Sequence, residues 1–261
     1  NNETSQGNSA YTYVFYVYYP NSGQTHQFDD NVIDSNTFGY YTYGTYLYYW
    51  NGTFNRNKVT NNKIENTSTT YGYLYSTMLA YYFNLQCNNN LVANNVGYYG
   101  IMGFYGYSYN SGSYRAEFKQ NTVQVDATNS GYAYHYTYGL YLYPYYHQKT
   151  NTIGNVVDIQ NSYGAYPVYT YNTSGSSPYT WDYNNYYLKN ISYQYWYCPN
   201  GSASDLSSWI NLGFAGNNET GHLPVYRNIS NNDFTIDVFE LQNKVPNITS
   251  LFPSNNRYSG S

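Results

Sequence analysis

Val59-Thr60-Asn61-Asn62-Lys63-Ile64-Glu65 reads as an apolar residue, polar residues, an asparagine, one spacer and a second apolar residue. The same order returns along the chain. With Asn62 as anchor, the equivalent asparagines are Asn31, Asn90, Asn121, Asn155 and Asn185, at successive spacings of 31, 28, 31, 34 and 30 residues. Two residues beyond the anchors stand Ile33, Ile64, Val92, Val123, Val157 and Tyr187. Three residues before them stand Phe28, Val59, Cys87 and Phe118, then Thr152 and Asp182, so this column fades toward the C-terminal end.

A period near 30 residues with β-branched columns and no helical spacing predicts a solenoid. One coil cannot bury its own apolar face, so it stacks on its neighbours. Equivalent residues then lie one strand spacing apart, about 4.8 Å, and stacked carboxamides hydrogen-bond along the column. The expected fold is all-β: a parallel β-helix of about six coils, with Asn31, Asn62, Asn90, Asn121, Asn155 and Asn185 as an internal ladder. Glycines eight to ten residues past the anchors (Gly39, Gly72, Gly100, Gly131, Gly164) read as turns that need unusual backbone angles. Tyrosine-rich strands follow them. In Leu140-Tyr141-Leu142-Tyr143 alternation points the leucines in and the tyrosines out, which sets external tyrosine ladders on stacked coils.

The coils are expected over 1–203 and a closing region over 204–261. In the latter, Ser204 is the expected N-cap of a short helix whose apolar face is Leu206, Trp209 and Ile210 and whose stop is Gly213. Asp233–Phe239 is the expected final strand. Cys87 falls in an apolar column and reads as a buried free thiol.

The chain has 261 residues, a net charge of −4 and 9% charged residues, which leaves no electrostatic footprint for nucleic acid. No apolar run is long enough to span a membrane. The start at Asn1, without methionine, reads as processed. His26, His135, His147 and His222 are scattered, and no serine or cysteine stands in a nucleophile motif. No catalytic residue and no cofactor are expected. Asp34 and Glu65, three residues past successive anchors, are the one candidate for a cation site. They read as solvated corner residues, because hard cations need several oxygen ligands. Candidate N-glycosylation sites are Asn2, Asn51, Asn66, Asn172, Asn190, Asn200, Asn218, Asn228 and Asn247.

The segments Asp182-Tyr183-Asn184-Asn185-Tyr186-Tyr187, Asp205-Leu206-Ser207-Ser208-Trp209, Leu223-Pro224-Val225-Tyr226 and Asn232-Asp233-Phe234-Thr235-Ile236 resemble the closing region of secreted right-handed parallel β-helix proteins. These are pectate-lyase-like repeat proteins of bacterial cell surfaces. The resemblance implies a right-handed helix and an extracellular location. The same family style includes adhesins and polysaccharide-cleaving enzymes, so a carbohydrate-binding or lyase function stands as the alternative to a structural one.

Solenoid ends need caps. The C-terminal helix supplies one. At the other end the strand Tyr11–Tyr19 starts part-way round a coil, so Tyr11, Tyr13, Phe15, Val17 and Tyr19 are candidate contacts for a second copy. The expected assembly is head-to-tail, in a surface layer or filament.

Overall fold

The computed structural model describes residues 11–18, 24–39, 41–64, 72–108, 114–130, 132–144, 149–171, 179–215, 219–224, 226–228 and 233–236. The chain winds as an all-β parallel solenoid of about five turns. Three sheets run along it. The first stacks Thr12–Tyr18, Thr42–Tyr48, Tyr73–Ala80, Gly100–Ser108, Tyr136–Pro144, Gly164–Thr170 and Trp196–Cys198 in sequence order. The second stacks six strands from His26–Gln27 to Tyr179–Asp182, and the third six from Val32–Asp34 to Asn185–Lys189. The six rungs of the second and third sheets enclose the core with the first.

Register corrects the repeat at two anchors. The ladder that runs through the core is Asn31, Asn57, Asn90, Asn121, Asn155 and Asn184, joined by Nδ2 to Oδ1 hydrogen bonds of 2.8–3.1 Å. Asn62 belongs instead to a shorter ladder at the next corner, Asn36, Asn62 and Asn95. Asn185 lies one residue past its rung and binds Thr220 and the His222 backbone. With these shifts, the column three before the ladder becomes Phe28, Phe54, Cys87, Phe118, Thr152 and Trp181. The column two after it becomes Ile33, Val59, Val92, Val123, Val157 and Tyr186, all buried. The repeat therefore persists to the last rung. The one-residue slip at Asn185 accounts for Asp182, which gives way to Trp181, while Thr152 remains a buried polar member of the column.

Each full rung satisfies its carboxamide completely. The Oδ1 of Asn121 accepts both the Nδ2 and the backbone N–H of Asn90. Its Nδ2 donates to the Cys87 carbonyl and to Asn155 Oδ1. The residue before every rung turns the chain with a left-handed backbone: Asp30, Arg56, Asn89, Gln120, Gly154 and Tyr183 have φ between 54° and 67°. Five of these carry a β-carbon, and such a conformation costs of order 1–2 kcal/mol per residue. The ladder hydrogen bonds and the apolar columns on either side offset that cost.

The expected glycine turns act differently. Gly100 and Gly164 do not have positive φ. They are small because neighbouring coils fill the space beside them: at Gly100 a Cβ would sit 2.2 Å from the Tyr136 carbonyl oxygen and 2.6 Å from Tyr73 Cε1, and at Gly164 2.4 Å from Tyr136 Cδ1. Gly131 lies outside the described residues. Inside the coil, Val123 presses on the backbone of Gly103, where a Cβ would come within 2.8 Å of Cγ1.

The C-terminal end is closed. The helix spans Leu206–Ile210, and its N-cap is Asp205 rather than Ser204, accepting from the Ser208 N–H at 2.7 Å. Trp209 is fully buried against Trp181, Trp196 and Tyr186. The last described strand is Asp233–Ile236, paired with Tyr226–Asn228. Cys87 and Cys198 are both buried free thiols.

Replacing Asn121 by alanine strands two donors of Asn90 and the Cys87 carbonyl. Each buried unsatisfied group costs about 1–3 kcal/mol, so N121A should lose roughly 3 kcal/mol or more in urea denaturation. A loss below about 1 kcal/mol would show that the ladder is incidental.

Candidate functional site

The first sheet presents the widest distinctive surface. None of its strands contains Asp, Glu, Lys or Arg. Alternation sends tyrosines outward at matched registers. Tyr13, Tyr43 and Tyr75 form one column that resumes at Tyr138 and Tyr166 after Met102. Tyr105, Tyr141, Tyr169 and Tyr197 form another. Rings within the columns stack: Tyr138 on Tyr166 at 4.4 Å and 15°, Tyr141 on Tyr169 at 4.6 Å and 8°. The expected external tyrosine ladders are therefore present. Each ring's faces are largely taken by its column neighbours, so the surface offers ring edges and hydroxyls. Burial among the rings, reinforced by neighbouring phenols, pushes Tyr48 and Tyr73 up to about 12 and Tyr75 and Tyr138 higher still. The face is thus neutral at every physiological pH.

The N-terminal end is open among the described residues. Thr12–Tyr18 is the terminal strand of its sheet and pairs on one side only, with Thr42–Tyr48. Phe15 occupies an inward position and meets Phe28 edge-on. It is nevertheless 38% exposed, whereas Thr45, its partner one rung along, is 0% exposed. Val14 and Val17 are half-buried beside it, and Tyr11 and Tyr13 are exposed. Tyr19 lies outside the described residues.

The carboxylates near Asp34 are engaged with the chain. Asp34 accepts from Ser35, Thr60 and Asn61, which hold its pKa low against the upward push of partial burial. Arg56 grips Asp30 through two bonds of 2.6 and 2.7 Å. Glu65 lies outside the described residues. Among the described residues no group of three or more His, Cys, Asp or Glu stands together as a metal site. No described helix is long and apolar enough to cross a membrane.

Of the candidate glycan acceptors, Asn190, Asn200 and Asn228 are exposed. Asn51 is half-buried and its Nδ2 donates to the Gln24 carbonyl. Asn2, Asn66, Asn172, Asn218 and Asn247 lie outside the described residues.

Three buried titratable groups had no clear signal in the sequence. Glu219 ends the ladder, accepting from Asn184 Nδ2 at 3.2 Å. Burial pushes its carboxyl up to about 8. Asp158 is buried beneath Tyr226 and burial pushes it up to about 6. His135 sits against Ser162 and Thr137, and burial pushes it down to about 4. A cleft of about 470 Å³ lies against the C-terminal cap, lined by Tyr193, Gln194, Tyr195 and Ser208 among others.

No known protein family, curated protein or solved structure matches this chain.

The raised Glu219 carboxyl sets a pH dependence. Its contribution is complete below the ordinary value of 4.5 and is lost as pH rises through about 8. Glu219→Gln keeps an acceptor for Asn184 and removes that loss. It should match the parent near pH 4.5 and exceed it at pH 9 by about 1 kcal/mol or more, one pKa unit being worth about 1.4 kcal/mol. Equal denaturation curves at pH 9 would contradict a protonated ladder terminus.

Proposed function

We propose that this chain is an extracellular structural protein, a β-solenoid building block of a surface layer or head-to-tail filament. The observation that carries this reading is the difference between the two ends. Three tryptophans and a helix close the C-terminal end. Among the described residues, the N-terminal strand Thr12–Tyr18 pairs on one side and its inward Phe15 is 38% exposed. A free sheet edge accepts another strand through main-chain hydrogen bonds. A strand from the C-terminal region of a second copy would complete it. Such a contact joins unlike surfaces and propagates into rings or filaments.

The likeness of the closing segments to pectate-lyase-like cell-surface proteins supports the extracellular location and a right-handed coil. The low charge and the broad neutral face also suit a packing element.

Phe15→Lys places a charge among the inward side chains of the open end. Sedimentation velocity over a concentration series should show the parent chain growing into multimers and the folded variant stopping at a dimer or smaller. Growth of F15K into the parent's multimers at the parent's concentrations would remove the open end from the assembly.

A further inference from the structure

The open end concerns association along the solenoid axis. The tyrosine sheet is a separate surface, perpendicular to that contact. We propose that it is a lateral interface: two copies pair side by side, tyrosine sheet against tyrosine sheet.

Size is the first argument. Seven strands at about 4.8 Å spacing span about 29 Å, and seven residues at about 3.3 Å rise span about 23 Å. Each copy therefore contributes about 670 Å², and the pair buries about 1,300 Å², within the range of roughly 1,200–2,000 Å² for specific stable interfaces. Composition is the second. The described strands of this sheet carry no charged residue, so closing two of them together desolvates no ion. Interface centres are enriched in tyrosine and depleted of charge. Repeat is the third. A second copy has the same strand spacing, so rows of ring edges from one sheet can seat between rows of the other in register along the whole length. Their hydroxyls, each both donor and acceptor, can pair across the contact.

Ring orientation favours this partner over a sugar. Stacking on a saccharide needs an open ring face. Tyr141 has one neighbour stacked at 4.7 Å and another at 4.6 Å, so both its faces are occupied.

The test uses the full chain. Tyrosines are nitrated with tetranitromethane over a range of protein concentrations and located by mass spectrometry. Tyr141 and Tyr169 should be protected at high concentration and modified on dilution, whereas Tyr134, exposed and outside the first sheet, should react throughout. In parallel, Tyr141→Lys should weaken pairing at least about tenfold, and Tyr141→Phe, which keeps the stack, should change it by far less. Phe15→Lys separates the two contacts: it should abolish axial growth and leave side-by-side dimers. Equal nitration of Tyr141 at all concentrations would overturn the lateral interface, even if Tyr141→Lys failed to fold. Protection of the same tyrosines in dilute protein by an added neutral polysaccharide, without pairing, would overturn it in favour of a glycan surface.

Discussion

A buried corner of polypeptide must satisfy its own backbone, and in this chain a column of carboxamides does so. At each internal rung one asparagine accepts two bonds from the coil before it and donates to that coil's carbonyl and to the coil beyond, as Asn121 does. No apolar side chain could fill these positions without orphaning backbone groups, at about 1–3 kcal/mol each. The left-handed residue before each rung and the apolar columns at fixed offsets follow from that requirement. The ladder also needs an end. Glu219 provides an acceptor for the last Nδ2, and its burial holds it protonated through neutral pH.

Much of this was legible in the sequence. Asparagine followed two residues later by a β-branched residue gave the solenoid and most of the ladder: Asn31, Asn90, Asn121 and Asn155. Asn62 misled because the next corner uses the same chemistry: Asn61 turns with φ 55° and Asn62 stacks between Asn36 and Asn95. The first coil interval is consequently 26 residues, from Asn31 to Asn57, and the next 33. Period alone could not choose between two corners five residues apart. The doublet Asn184-Asn185 hid the last rung in the same way, and only strand register resolves it. The roles of Gly100 and Gly164 were not legible either. They depend on where the Tyr136 carbonyl and the rings of Tyr73 and Tyr136 lie, on neighbouring coils distant in sequence.

The tyrosine content has a structural account in the stacked columns of the first sheet. Aromatic cross-strand pairs contribute roughly 0.2–1 kcal/mol each, so these columns add to the hydrogen-bond ladder on the opposite side of the coil. Charge is kept to the other sheets and corners, as at Arg56 with Asp30 and Lys119 with Glu117. The described residues thus form a rod with a neutral aromatic side, an end closed by the helix and an end where Thr12–Tyr18 pairs on one side.

Electron microscopy of the native material tests the structural role most directly. The account predicts filaments with a layer line near about 4.8 Å and a subunit repeat somewhat above about 30 Å, the length of the stacked rungs plus the closing cap. Discrete single particles at every concentration, with the Thr12–Tyr18 strand ordered in the monomer, would contradict it.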